Sequence, residues 1–593
     1  MRSQYYLPSF ASLLALVASS LVGAAPTDET TSDAAAAVNH DPHVDLGYAI
    51  YKPTFYNDTG KYYNFSNIRY AAPPLGALRF SDPQPPENQR SLGVQDGTKA
   101  NVCPQAAPAS WNWRNVGIPD GQVIPIGNST LPESEDCLFL DVVVPESVFN
   151  NGGKGQNGKL APVMVNIHGG GFFIGDKATL YPPQGLIAAS NNEMVFVSMN
   201  YRLTAFGFLG GLDKASSNTT SQNAGLLDQR MALKWIQQYI HLFGGDKSQV
   251  TIYGESGGGA SVMFHAVAYG GAKETDLFHR IVGQSPGPQV GAPANQKKAG
   301  EAFLKALGVS SVDEARKLDT EVLKQANLDV ERTLPYFGPL VDGDLVPDLP
   351  SQLYVKGRYV KNLQVMAGHN SNEALLFISP TQDSQAAFDA FLSFQFPTSS
   401  KDQIDYINNT LYPPPPAPGH DYDSQYQRLS LLDADVYNLC WATLLAATYA
   451  ASGAHNYIFG VDPGLHAQDL SYTFYNGQAF QVDVNTTVAE VLQQAIANFV
   501  VYGDPNGQVE TPPAVVTQKR WDAAAPGKYG SGNVALPLFP KWTADQAAVI
   551  KGGPDAIRDA PVVNMTNGGF LEATEAAAGR CGWFFETGFA NSN

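Results

Sequence analysis

Cysteine is scarce in this chain, with four among 593 residues and no Cys-x-x-Cys pair. That spacing argues against a zinc site. Basic residues are scarce as well: 37 Lys and Arg stand against 55 Asp and Glu, for a formal charge of −18. A nucleic-acid partner needs a basic patch, and so does charge-driven docking on anionic lipid, so neither is expected. Long apolar runs are missing. The run "LLALVASSLV" at 13–22 falls short of the roughly 20 residues that span a bilayer, and no later segment reaches that length. No stable membrane anchor is expected. There is no internal repeat and no long low-complexity linker.

What is present begins with an export signal. Arg2 supplies a positive start, the apolar run follows, and "VGAAP" at 22–26 offers small residues for cleavage near Ala24 or Ala25. Residues 1–24 are expected to be a signal peptide, and the protein to be secreted. The polar stretch 25–45 is expected to start the mature chain in disorder. Seven Asn-x-Ser/Thr sequons, at Asn57, Asn64, Asn128, Asn218, Asn408, Asn485 and Asn564, fit glycosylation of an exported chain. An even cysteine count in an oxidising compartment fits two disulfides, with three connectivities open to Cys103, Cys137, Cys440 and Cys581. At 44% hydrophobic and 16% charged, the composition is that of a globular protein with a large core. The proline-dense "YPPPPAPGHDYD" (412–423) reads as a rigid surface connection, because apolar patterning continues on both sides.

Strands and helices alternate through the middle of the chain. "VMVNI" (163–167) and "MVFVSMNY" (194–201) are continuous apolar runs of the kind buried on both sheet faces. "NAGLLDQRMALKWIQQYIHLFGG" (223–245) reads as a helix: Leu227, Met231, Trp235 and Tyr239 recur every four residues, flanked by Ala232, Ile236, Ile240 and Phe243, and Gly244 and Gly245 suit its end. The strand "VTIY" follows, then a glycine-rich turn and a second helix, "ASVMFHAVAYG" (260–270). This alternation predicts an α/β fold with a mostly parallel central sheet and helices on both faces. Ligands collect beyond the carboxyl ends of such strands.

Two strand ends carry chemistry. Gly254-Glu255-Ser256-Gly257-Gly258 fits G-x-S-x-G between a strand and a helix. The sharp turn crowds the backbone, so small residues must flank a serine that is lifted clear at a helix N-terminus. A plain glycine loop would not need that context, and a phosphate-binding loop is excluded because no Gly-Lys-Ser/Thr follows. "HGGGFFIGD" (168–176), directly after "VMVNI", offers bare backbone N–H groups to an oxygen that turns negative during acyl transfer.

With these two motifs, and with "EDCLFLDVVVP" (135–145), "NYRL" (200–203) and "NAGLLDQRMALKWI" (223–236) in the same order, the chain resembles the type-B carboxylesterase/lipase family. That family includes fungal secreted lipases, sterol esterases and cholinesterases. The resemblance runs from about residue 45 to 587 and implies one large α/β-hydrolase domain over 46–593. It implies Ser256 as nucleophile. It implies the acid in the turn of "LQVMAGHNSNEALLF" (363–377), at Glu373; Asp342 and Asp344 are rivals that precede the strand. In this fold the histidine follows the acid, which leaves His420, His455 and His466. The family position, just after the strand "NYIFG", is His466. The resemblance also implies an oxyanion hole at Gly170, Gly171 and Gly257, with glycine at 257 where the family often has alanine. Glu255 and Ser285 match positions that support the histidine. Cysteine pairing is implied as Cys103 with Cys137 and Cys440 with Cys581. The apolar loop "SWNWRNVGIPDGQVIPIG" (110–127) is implied as a lid or a gorge wall.

The chain is therefore expected to be a secreted carboxylic-ester hydrolase working through an acyl-enzyme, with no metal or redox cofactor. Its partner would be a small-molecule or lipid ester, with at most transient contact with a lipid interface. A triacylglycerol or sterol-ester lipase with a lid at 103–137 is the alternative, acyl transfer to an acceptor other than water stays open, and a non-catalytic binding protein is the remote reading.

Overall fold

All seven residues of Ala161–Ile167 are buried, which is why this run carries no polar alternation. It is the fourth strand, β4, of an 11-stranded sheet. The computed structural model describes residues 42–108, 131–151, 159–212, 220–397, 399–417, 422–461, 463–477 and 484–507, and further elements at 519–521, 529–531, 560–566, 569–575 and 578–586. The remaining strands of the large sheet are β1 (Phe55–Asn57), β2 (Tyr62–Arg69), β3 (Phe139–Pro145), β5 (Val195–Met199), β6 (Gly245–Glu255), β7 (Arg280–Gln284), β8 (Gln364–Asn370), β9 (Ala454–Phe459), β10 (Ala560–Thr566) and β11 (Gly569–Glu575). Their order across the sheet is β11-β10-β9-β8-β7-β6-β4-β5-β3-β2-β1. From β5 to β10 every neighbouring pair is parallel, and antiparallel strands close both edges.

The register aligns the strand ends. Ile167 of β4 lies opposite Gly254 of β6, Glu255 opposite Gln284 of β7, and Gln284 opposite Gly368 of β8. Phe459 of β9 pairs with Asn370. Residues just past 167, 255, 284, 370 and 459 therefore leave the sheet side by side, where α/β ligands bind.

The helix expected at 223–245 is α1 (Ala224–Tyr239), followed by a tight turn, Ile240–Phe243, and Gly244 in the left-handed region at φ 87°. Trp235 and the flanking Ala232, Ile236, Ile240 and Phe243 are buried as expected, but the rest of the expected stripe is not the deepest part. Leu226, Leu233, Ile236 and Ile240 are fully buried, whereas Leu227, Met231 and Tyr239 sit half-buried at its border. Asp228 shares the buried face because its carboxylate takes Arg202 of "NYRL" bidentately, at 2.7 Å to both oxygens. Two motifs that are separate in sequence thus form one buried ion pair. The helix after the glycine turn is α2 (Gly257–Val267), with every residue buried.

Val44–Asp45, at the far end of the stretch read as disordered, pairs with Ile50–Tyr51, and Val44 is buried. Both disulfides form as expected, Cys103 with Cys137 and Cys440 with Cys581. The second ties helix α4 (Cys440–Thr448) to the C-terminal helix α7 (Ala578–Glu586). Among the described residues no helix is long and apolar enough to cross a membrane. The signal peptide, the loop 110–127, Asn128, Asn218 and His420 lie outside the described residues.

Candidate active site

Ser256 stands between β6 and α2 with φ 57° and ψ −120°, a conformation that costs an L-residue energy and persists only when its surroundings enforce it. The glycines enforce it. A Cβ on Gly254 would lie 2.1 Å from the Gly258 carbonyl oxygen, and one on Gly258 would lie 2.0 Å from that of Ile167. The chain can fold back this tightly only because both lack side chains. Three other non-glycine residues with positive φ gather at the same strand ends: Phe172 at 68°, Ser285 at 45° and Ala467 at 64°.

The HGGG turn meets the serine turn directly. Gly170 and Gly171 take φ 99° and 62°. A Cβ placed on Gly257 would stand 2.9 Å from the Gly171 nitrogen and 3.3 Å from that of Phe172. Gly257 thus touches the backbone that carries the neighbouring N–H groups, and it opens α2, where such groups are free of helix partners. The glycine at 257 is explained by this close approach.

On the other side, β8 delivers Glu373 on a tight turn, Glu373–Leu376. Glu373 is fully buried. Its Oε1 accepts from Ser285 Oγ at 2.6 Å and from the Asn370 backbone N–H at 2.5 Å. Its Oε2 takes His466 Nδ1 at 2.6 Å. The Asn372 N–H donates to the Gly464 carbonyl at 2.7 Å, locking the acid turn to the histidine loop. Burial alone would raise the Glu373 carboxyl, but the His466 charge and the hydrogen bonds from His466, Ser285 and Asn370 hold it below the usual carboxylate range. The ring of Phe377 packs on the imidazole at 5.1 Å.

Nε2 of His466 faces Glu255 Oε1 at 3.4 Å. Among the described residues Ser256 Oγ makes no hydrogen bond to His466; such contacts are often long in unliganded enzymes and tighten with substrate. Glu255 is 2% exposed and its Oε1 has no hydrogen-bond partner. Burial pushes its carboxyl up to about 8, against the pull of His466. Burial also disfavours the imidazolium, yet the Glu255 and Glu373 charges overcome that and raise His466 to about 9. The two shifts belong to one coupled equilibrium, since an ionised Glu255 raises His466 and a protonated one does not.

Two buried acids within electrostatic reach of His466 escaped the sequence reading. Asp469, three residues past His466 on α5 (Gln468–Thr473), is fully buried and holds Asn370 Nδ2 at 3.0 Å and the Tyr457 hydroxyl at 2.8 Å. Asp433 lies on α3 (Gln425–Ala434) and is 6% exposed. Asp469 was signalled by its place in the histidine turn; nothing in the sequence marks Asp433. The rival acid Asp342 is occupied elsewhere, taking Asn223 Nδ2 at 2.6 Å and the Val346 N–H at 2.9 Å. His455 lies at the amino end of β9, opposite Met366, away from the carboxyl ends that gather the site.

A cavity of about 30 Å³ sits behind the glycine turn, lined by Gly169, Gly170, Tyr181, Glu255, Ala467 and Leu470 among others. Of the sequon residues, Asn57, Asn64 and Asn408 are half-buried. Asn485 is 8% exposed, and its Oδ1 caps α6 (Thr486–Tyr502) through Thr487 and Val488, which makes it a poor acceptor for a glycan.

An elbow serine at the carboxyl edge of a parallel sheet, with a paired acid and histidine on the following strands, defines the α/β-hydrolase class. The comparisons narrow it. Residues 51–530 match the model of the carboxylesterase family, and the chain belongs to that family. Carboxylesterase patB of Penicillium expansum is 36% identical over 78% of this chain and 88% of its own length. Lipase 2 of Geotrichum candidum is 31% identical over 75% of this chain and 85% of its own. The crystal structure of Aspergillus niger EstA superposes with a TM-score of 0.71 at 25% identity, covering 93% of this chain and 98% of that one. The protein is thus a carboxylic-ester hydrolase by family.

Proposed function

We propose that the protein is a secreted serine carboxylesterase that works through an acyl-enzyme. Ser256 Oγ attacks the ester carbonyl and His466 Nε2 takes its proton. Glu373 fixes the imidazole through Nδ1 and stabilises its charged form. The N–H groups of Gly170, Gly171 and Gly257 receive the developing oxyanion. His466 then protonates the leaving alcohol, and water resolves the acyl-enzyme by the same steps. The observation that carries this reading is the buried 2.6 Å contact of His466 Nδ1 with Glu373, formed where the elbow serine leaves the sheet.

The test is Ser256→Ala on a short-chain nitrophenyl ester, with fluorophosphonate labelling of both proteins. Hydrolysis and labelling should vanish together while the fold persists; full activity in the variant would remove Ser256 from the mechanism. The esterase reading is favoured over the lipase one because the patB carboxylesterases, at 36% and 37%, exceed the Geotrichum lipases, at 31% and 30%. A jump in rate at an oil-water interface would reverse that preference. Secretion is supported by the two disulfides, which persist in oxidising compartments. Asn57, Asn64 and Asn408 are the proposed glycosylation sites, tested by a loss of mass on glycosidase treatment.

A further inference from the structure

Asp433 is an acid that the proposed reaction does not use. It is the penultimate residue of α3, directly before the π-turn Asp435–Leu439. Such single wide turns recur at functional sites. Helix α3 packs against the Glu373–Leu376 turn. From the π-turn itself, Asn438 donates to the Ser285 carbonyl at 2.8 Å, and Ser285 in turn donates to Glu373. This helix therefore walls the site on the side of the acid.

Of the other buried acids near it, Glu255 faces His466 Nε2 at 3.4 Å. Glu373 and Asp469 are held as described, and Asp435 takes the Tyr412 hydroxyl at 2.5 Å and Arg580 at 2.5 Å. Asp433 differs. It is 6% exposed, and among the described residues its carboxylate accepts no hydrogen bond and joins no ion pair. Burial pushes its carboxyl up to about 7, and the only opposing pull is the charge of His466. Carboxyl and imidazole are thus within electrostatic reach of each other. The Tyr437 phenol, raised by burial, is raised further by the Asp433 charge. A largely buried carboxylate with no protein donor is costly to keep, and a donor brought by a ligand would offset that cost.

We propose that Asp433 is a specificity-determining residue that accepts a hydrogen bond from a donor group, a hydroxyl or a protonated amine, carried by the ester substrate. The inference rests on the ester-hydrolase reading and names the substrate class within it: polar esters with a donor close to the scissile carbonyl. A protonated amine gains most, because it pairs with the charge as well as the lone pair.

The experiment compares three nitrophenyl esters with chains of equal length ending in methyl, hydroxyl or ammonium. The proteins are the full chain and its Asp433→Asn and Asp433→Leu variants. The readout is the ratio of kcat/KM for each donor ester to that for the methyl ester. The wild type should favour both donor esters. Asp433→Asn should lower the ammonium ratio by about tenfold or more, the cost of one charged hydrogen bond, and spare more of the hydroxyl ratio because Asn Oδ1 still accepts. Asp433→Leu should lower both ratios, with the change falling in KM. Fluorophosphonate labelling reports which variants are folded. No preference for donor esters in the wild type, or the same ratios in a labelled variant, would overturn the proposal. Failure of the wild type on all three esters would instead refute the hydrolase reading beneath it.

Discussion

His466 Nδ1 lies 2.6 Å from Glu373 Oε2, and Glu373 is closed off from solvent. A charge-assisted hydrogen bond of this length in a low-dielectric site fixes the tautomer that presents Nε2 as the base. Glu373→Gln should keep the shape but lose that control. We expect kcat to fall by roughly a thousandfold or more, with a small change in KM. Steady-state kinetics and slowed fluorophosphonate labelling would check it; near-normal kcat would show that another acid orients the histidine.

Gly257→Ala tests the close approach of the two glycine turns. The new methyl would meet the Gly171 nitrogen at 2.9 Å, and backbone cannot yield without moving the adjacent N–H groups. If those groups hold the oxyanion, kcat should fall by about tenfold to a hundredfold while KM changes little. A variant with full kcat would mean that the Gly171 turn has room to relax.

In the proposed mechanism the acid limb of kcat/KM depends on Glu255. His466 must be neutral to accept a proton, so activity rises as pH climbs through its pKa. The Glu255 and Glu373 charges hold that pKa above 6.5 despite burial. Glu255→Gln removes one of those charges, so the limb should move to lower pH. A pH–rate profile that stays in place would show that Glu255 is neutral throughout the range.

The Cys440–Cys581 bridge anchors α7 to α4 across 141 residues of sequence. The rings of Trp441 and Phe585, each on one of the tied helices, lie 5.4 Å apart. Replacing both cysteines by alanine should cost about 2–4 kcal/mol, mainly through freedom returned to the unfolded chain. A lowered midpoint of thermal inactivation with little change in kcat at 25 °C is the expected result.

Much of this was legible before any coordinates. G-x-S-x-G between Val250-Thr251-Ile252-Tyr253 and an apolar helix states its own geometry, because a reversal that tight tolerates only glycine at 254 and 258. The buried strands were legible too, since a run such as Val163–Ile167 has no polar face to show to water. The helix at 223–245 was found with Ala232, Trp235, Ile236 and Ile240 on its buried side, but Leu227, Met231 and Tyr239 lie only at the border of that side. The sequence pattern counts apolar spacing and does not register that Asp228 is drawn inward by Arg202.

The sequence by itself determined the local devices: the serine elbow, the triple-glycine turn, the order of acid before histidine, and cysteines enough for two bridges. Each depends on backbone sterics over a few neighbouring residues. The tertiary structure alone decided which groups meet. Strand register sets Ser256, Glu373 and His466 side by side although long stretches of chain separate them. Burial and the charges packed together then set their protonation: burial raises Glu255, the neighbouring carboxylates raise His466 against burial, and His466 with its hydrogen-bonding neighbours lowers Glu373 against burial. Asp433 shows the difference most simply: an ordinary helix residue in the sequence, it becomes a buried acid within electrostatic reach of the imidazole only when α3 packs against the Glu373 turn.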